Sequence, residues 1–204
     1  MKEDKKKITP ILFFLLAMLL WGCASQGVKT AGISGEPIKP GLSKNMSLPI
    51  FELPIPQNEL EKSYIGISGS GNFKVGQIKA KVLIIELFNF YCPHCQHAAP
   101  RVNELYQEIQ GRSDINEKVK IIGIGIGNSP YEVSSFREKY QVPFPLFSDQ
   151  SMSISKMLGV EATPTFIGAK VNDKGSQEQF YFKAGEFQDA PQFLAEIIKS
   201  SGLE

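Results

Sequence analysis

Residues 82–100 read VLIIELFNFYCPHCQHAAP. The first seven, VLIIELF, make an apolar run bounded by charge, the pattern of a strand buried on both faces. A helix follows, beginning around Pro93 or Cys95 and running to about Gln110, because Ala98, Val102, Leu105 and Ile109 recur at the three- and four-residue steps of one helical face. A strand that runs straight into a helix places Cys92 at the helix N-terminus. Unpaired backbone N–H groups and the positive end of the helix dipole favour the thiolate there, and the thiolate is the reactive form. Pro93 suits the first helical turn, and His94 can add positive charge or a donor near Cys92. Cys95 lies one turn on, near enough to close a disulfide and less exposed, which is the position of a resolving thiol.

The same two cysteines admit other chemistry. Covalent haem attachment uses CxxCH, but Gln96 follows Cys95 and His97 comes one place late. Zinc needs about four ligands, and Cys92, Cys95 and His97 supply three at one helix start with no second cluster elsewhere. Copper remains open, since soft thiolates suit Cu(I) and Met152 and Met157 are available as further ligands. Met157 also reads as core on a short helix, and His97 as a solvent-facing residue without a role.

The chain has 204 residues, enough for one domain and an appendage, and 22 Lys and Arg balance 21 Asp and Glu, so nothing in the charge points to a nucleic-acid partner. Lys2, Lys5, Lys6 and Lys7 precede the uncharged run Ile11–Trp21 (ILFFLLAMLLW), which falls short of the roughly 20 residues of a membrane span and reads as a signal peptide. Leu20, Gly22 and Cys23 resemble a bacterial lipobox, which implies cleavage after residue 22 and a lipid on Cys23. The alternative is an uncleaved signal anchor with Cys23 unmodified, and both leave the domain outside the inner membrane. With Cys23 lipidated, Cys92 and Cys95 remain as one pair in an oxidising compartment. The loop they close is too small to stabilise the fold much, so their reason is chemical.

Residues 23–47 are rich in Gly, Ser, Pro and Lys and read as a flexible tether, with the folded domain over 48–204. Pro49, Pro54 and Pro56 suggest an extended lead-in, and Ser68–Asn72 (SGSGN) a turn between short strands. After the 82–110 strand and helix come a buried strand (Val119–Gly127), a helix opened by Ser129 and Pro130 (Tyr131–Tyr140), a return, a short helix (Ser153–Leu158), a hairpin (Thr165–Val171 and Gln179–Lys183 about an Asn172–Gly175 turn) and a last helix from Asp189. Gly123, Gly125 and Gly127 lack phosphate-loop spacing and fit a strand packed closely against a helix. The order predicts an α/β domain with a central mixed sheet flanked by helices.

At this point residues 48–204 resemble the thioredoxin superfamily. The resemblance rests on Cys92-Pro93-His94-Cys95 at the strand-to-helix turn, on Glu86 six residues earlier, and on Thr163-Pro164-Thr165 in VEATPTF. It implies a thioredoxin-like fold with a cis-proline at Pro164, a proton-handling acid at Glu86, and substrate contacts at Thr163 and at Tyr91, the aromatic residue before the motif. The dipeptide Pro93-His94 is similar to that of the oxidant DsbA. The βα insertion before the Pro164 loop, containing SFREKYQVPFPLFSD, is similar to TlpA/ResA redoxins, many of them tethered outside the inner membrane. Ala98 stands where that group often has a glutamate, leaving proton handling to Glu86, whose neighbours Ile85 and Leu87 point to burial. The resemblance therefore implies an extracytoplasmic thiol–disulfide oxidoreductase with no cofactor beyond the Cys92–Cys95 disulfide. Its partners would be client proteins with cysteines or disulfides and a membrane or periplasmic electron donor or acceptor. The motif argues for oxidation and the body for reduction. A copper-binding assembly factor and a thiol peroxidase-like redoxin remain the alternatives.

Overall fold

The structure, a computed structural model, describes residues 46–203. The expected signal peptide, Cys23 and the tether as far as residue 45 lie outside the described residues. Thirteen helices and strands follow in order: β1 (Met46–Ser47), β2 (Glu52–Pro54), α1 (Glu59–Ile65), β3 (Asn72–Lys74), β4 (Val82–Phe88), α2 (Pro93–Gln110), β5 (Val119–Ile126), α3 (Pro130–Tyr140), β6 (Leu146–Asp149), α4 (Ser153–Met157), β7 (Thr165–Val171), β8 (Gln177–Ala184) and α5 (Ala190–Ser201). Among the described residues no helix is long and apolar enough to cross a membrane.

Six strands form one mixed sheet in the order β1-β8-β7-β4-β5-β6, and β2 pairs with β3 in a separate antiparallel ladder. The central strand β4 runs parallel to β5 and antiparallel to β7. All seven of its residues are buried. Side chains alternate across a strand, so β4 feeds two cores. Val82, Ile84 and Phe88 join residues of α2, α3 and α5, including Cys95, Val102, Phe136 and Phe193. Leu83, Ile85 and Leu87 join Leu53, Ile65, Phe73 and Leu158 on the other face. Each such side chain, fully buried, contributes about 1.5–3 kcal/mol. On the α2 face the rings interlock: Phe88 lies 4.5 Å from Phe136, and Phe187 stacks on Phe193 at 4.3 Å between centroids.

The glycines of β5 let this face close. A Cβ on Gly125 would come within 2.9 Å of Val133 Cγ2 on α3 and 3.1 Å of Asn128, and one on Gly123 within 2.4 Å of Leu146 Cδ2. α3 begins with a capping box in which Ser129 and Glu132 satisfy each other's backbone N–H groups. α2 carries Pro100 in its interior. That residue has no N–H to give to the carbonyl of Gln96.

Two expectations need correction. Ser68–Asn72 does not join two strands, because it connects α1 to β3. The helix α1 (ELEKSYI) escapes a periodicity search because it is seven residues long, and its Leu60 is 80% exposed. Met157 is not core either: α4 turns it outward, 44% exposed, while Ile154 and Leu158 take the buried side. The return after α3 is itself a strand, β6, at the sheet edge beside β5.

Candidate active site

The C-terminal end of β4 delivers the chain into a turn held from four directions. Asn89 Nδ2 donates to the carbonyl of Ile126 at the end of β5 (2.7 Å), and its Oδ1 accepts from Tyr91 N (2.8 Å). Asn128, fully buried, accepts the backbone N–H of Phe90 on Oδ1 (2.8 Å), while its Nδ2 finds no hydrogen-bond partner among the described residues. Gln96 Nε2 donates to the Phe90 carbonyl (2.8 Å). Tyr91, 66% exposed, is tied through its hydroxyl to Glu132 Oε1 on α3 (2.5 Å). This turn fixes Cys92 as the N-cap of α2, with Pro93 in the first helical turn.

The two thiols, both reduced, differ sharply. Cys92 is partly exposed, and its Sγ lies 3.3 Å from the Thr163 carbonyl, to which the thiol donates. Partial burial works against its ionisation, but hydrogen bonds from the Thr163 side chain, the Cys95 backbone and thiol, and the His94 backbone outweigh this and bring the thiol below its ordinary pKa. Cys95 is 0% exposed, and burial pushes its thiol up to about 12. Its Sγ accepts a long contact from Asn89 N, 3.4 Å. Facing Cys92 is the loop before β7, where the Thr163–Pro164 peptide is cis and Thr165 Oγ1 donates to the Ala162 carbonyl (2.7 Å).

Glu86 lies in β4 two residues before Phe88, and strand alternation turns it to the same face as Ile84 and Phe88, the core beneath α2 that also holds Cys95. It is 2% exposed, its Oε1 has no hydrogen-bond partner among the described residues, and desolvation raises its carboxyl to about 8. A carboxyl at that value exchanges protons near neutrality.

An open groove of about 450 Å³ runs beside Cys92, lined by Asn89, Tyr91, Met152, Lys156, Glu161 and Thr163 among others. Met152 holds a left-handed backbone (φ 57°) at the start of α4. Met157 does not line this groove. Two wider hollows, about 600 and 530 Å³, lie around Lys81 and Lys118 at the opposite end of the sheet and contain neither thiol.

The His94 side chain has a partner that the motif does not reveal. Its Nδ1 faces Glu186 Oε1 (2.9 Å), in the loop between β8 and α5. His97 is drawn into the same arrangement, with Nδ1 2.8 Å from Glu186 Oε2, and Arg101 also donates to that oxygen. The structure thus brings together Tyr91, Cys92, Pro93, Cys95, Thr163 and Pro164 around one end of α2 with Glu86 under it, and turns His94 toward the α5 side. Sequence reasoning missed Glu186, Asn128 and Arg101. Glu186 stands 92 residues from His94 in a polar loop and carries no local signal.

Residues 48–181 match the AhpC/TSA family. The chain belongs to that family. Among curated members it resembles the thiol-disulfide oxidoreductase ResA of Halalkalibacterium halodurans, 23% identical over 128 residues, 63% of this chain and 68% of that protein. In fold, this AhpC/TSA protein is similar to a Chlorobium tepidum protein assigned as a thiol:disulfide interchange protein DsbE, with TM-score 0.60 and 16% identity over 79% of this chain and 99% of that one. It is also similar to StoA of Bacillus subtilis, with TM-score 0.52 and 18% identity over 73% and 96%. Within the AhpC/TSA family it is a TlpA/ResA-like redoxin with the thioredoxin-like fold, a thiol–disulfide oxidoreductase of the ResA/DsbE type.

Proposed function

We propose that this redoxin works outside the cytoplasm, held to a bacterial membrane by a lipid on Cys23, and reduces or exchanges disulfides in client proteins through Cys92 and Cys95 with no other redox group. The observation that carries the reading is the inequality of the two thiols: an accessible Cys92 with its thiolate favoured, and a fully buried Cys95 with its thiol held protonated.

In the reducing direction the Cys92 thiolate attacks one sulfur of a client disulfide. The client S–S bond breaks, a mixed disulfide forms, and the leaving client thiolate takes a proton from water. Cys92 then carries no charge, which removes the part of the Cys95 shift that came from its neighbour. Cys95 passes its proton to Glu86, ionised in roughly a tenth of molecules at pH 7 given a value near 8. The Cys95 thiolate attacks Cys92 Sγ, the mixed disulfide breaks, and the second client thiolate departs and is protonated. Two electrons have passed from the pair to the client, and a dithiol donor restores them. Run backwards, the same steps install a disulfide, with Glu86 as the acid. Tyr91 and Thr163 flank the groove that receives the client chain, and Pro93 shapes the turn that presents Cys92.

The test is insulin reduction by the full chain. Cys92→Ser is expected to abolish turnover, and Cys95→Ala to accumulate mixed disulfides that dithiothreitol dissolves. Residual turnover in Cys92→Ser removes the assignment. For the anchor, Cys23→Ser is expected to release the chain from membranes, and continued membrane association would refute lipidation.

A further inference from the structure

The cluster at Glu186 bears on something the sequence leaves open, namely whether this redoxin is poised to reduce or to oxidise. His94 sits inside the CPHC motif, where a cationic or donor imbidazole aimed at Cys92 would stabilise the thiolate and make the pair a stronger oxidant, since stabilising the reduced form raises the potential. In the structure its ring is engaged elsewhere. Glu186 is only 11% exposed, whereas the two imidazoles above it are 76% and 71% exposed. One carboxylate therefore anchors His94 on one oxygen and His97 and Arg101 on the other. The anchor is itself fixed: Gly185, with φ +85°, donates its N–H to the carbonyl of Pro164 (2.8 Å), and Arg101 Nε donates to the Phe187 carbonyl on the far side (3.0 Å).

The hydrogen bonds from His94 and His97 hold the Glu186 carboxyl below the usual range, so it is ionised and can only accept. His94 accordingly donates from Nδ1, while His97 Nδ1 lies between Glu186 Oε2 (2.8 Å) and Arg101 Nη2 (3.2 Å). Arg101 occupies the cationic place among the two rings and the carboxylate, which leaves no position for a metal ion between them. The other charged groups around the cluster and the thiols are Lys183 on β8, Asp189 and Glu196 at α5, Lys156 and Glu161 across the groove, Glu132 of α3 on the Tyr91 hydroxyl, and the buried Glu86 of β4. Glu186 is the carboxylate that meets the first turns of α2 directly.

We propose that Glu186 is a positioning residue that draws the His94 side chain away from Cys92, so that this CPHC pair is kept reducing. The inference rests on the thiol exchange proposed above and adds its direction. Removing the charge frees His94, and an imidazole able to serve Cys92 favours the thiolate.

The experiment is glutathione equilibration of the full chain, paired with titration of Cys92 by its alkylation rate. Glu186→Gln is expected to shift the dithiol–disulfide equilibrium about tenfold toward oxidant, about 30 mV, and to move the alkylation profile to lower pH. Glu186→Asp, keeping the charge, is expected to restore most of both. In a His94→Asn background the effect of Glu186→Gln is expected to shrink by at least threefold, which a merely structural role would not produce. An unchanged or more reducing equilibrium in Glu186→Gln, with circular dichroism showing native folding, overturns the proposal, as does an undiminished effect without His94. If the wild-type chain fails to reduce insulin, the exchange assignment falls. The alkylation profile still tests Glu186 separately, because it needs no client.

Discussion

Glu86→Gln separates the proton of the site from its packing. In the folded protein the Glu86 carboxyl is lifted from 4.5 to about 8 by burial alone. Below pH 4.5 both folded and unfolded chains hold the proton and nothing is lost. Between 4.5 and 8 the unfolded chain has released it while the folded chain keeps it, so stability falls as pH rises, by up to about 1.4 kcal/mol per pH unit, and levels off above 8. The full loss is about 5 kcal/mol, a large share of the roughly 5–15 kcal/mol that holds a domain folded. Glutamine has nearly the same shape and no such titration. Urea unfolding of the oxidised protein at intervals from pH 5 to pH 9, wild type against Glu86→Gln, reads the difference directly, since the two chains differ only at this carboxyl. The variant is expected to equal or trail the wild type at pH 5 and to exceed it by several kcal/mol at pH 9. Parallel profiles would refute the assignment of this carboxyl as a buried acid. The same variant is expected to resolve mixed disulfides more slowly near neutrality, visible by quenched gel analysis.

Two other substitutions probe the frame of the site. Asn128→Ala leaves the Phe90 N–H without its acceptor at the active-site turn, and is expected to cost about 1–3 kcal/mol in thermal or urea unfolding and to slow Cys92 alkylation; unchanged alkylation would show that the turn holds itself. Gly125→Ala drives a methyl into Val133 and Asn128 and is expected to cost about 1–3 kcal/mol, with stability unaffected if α3 can move aside.

What the chain reveals before folding follows from how local each signal is. VLIIELF reads as a buried strand because all its neighbours are apolar, and the 93–110 helix because its apolar steps fall on one face. Glu86 is visible for the same reason, a lone acid among residues that must be inside. Elements of four to seven residues such as α1 and β6 lack the length to show a period. The Glu186 cluster is not legible at all, because it is made by the β8–α5 loop arriving at α2 through tertiary packing. Met157 misleads because a five-residue helix gives too few positions to fix which side is inward.

Pro100 gives α2 a mechanical character that its even outline conceals. With no N–H from position 100, the Gln96 carbonyl is left out of the helical ladder. The two turns that carry both thiols, His94 and His97 are therefore joined to the rest of the helix by one backbone hydrogen bond fewer, while Cys95, Ala98 and Ala99 share the core with Val102, Leu105 and Ile109. Each catalytic cycle shortens and then releases the separation between two sulfur atoms. The missing bond falls just beyond the second thiol, which makes this joint the place in α2 where a change in that separation costs the helix fewest hydrogen bonds.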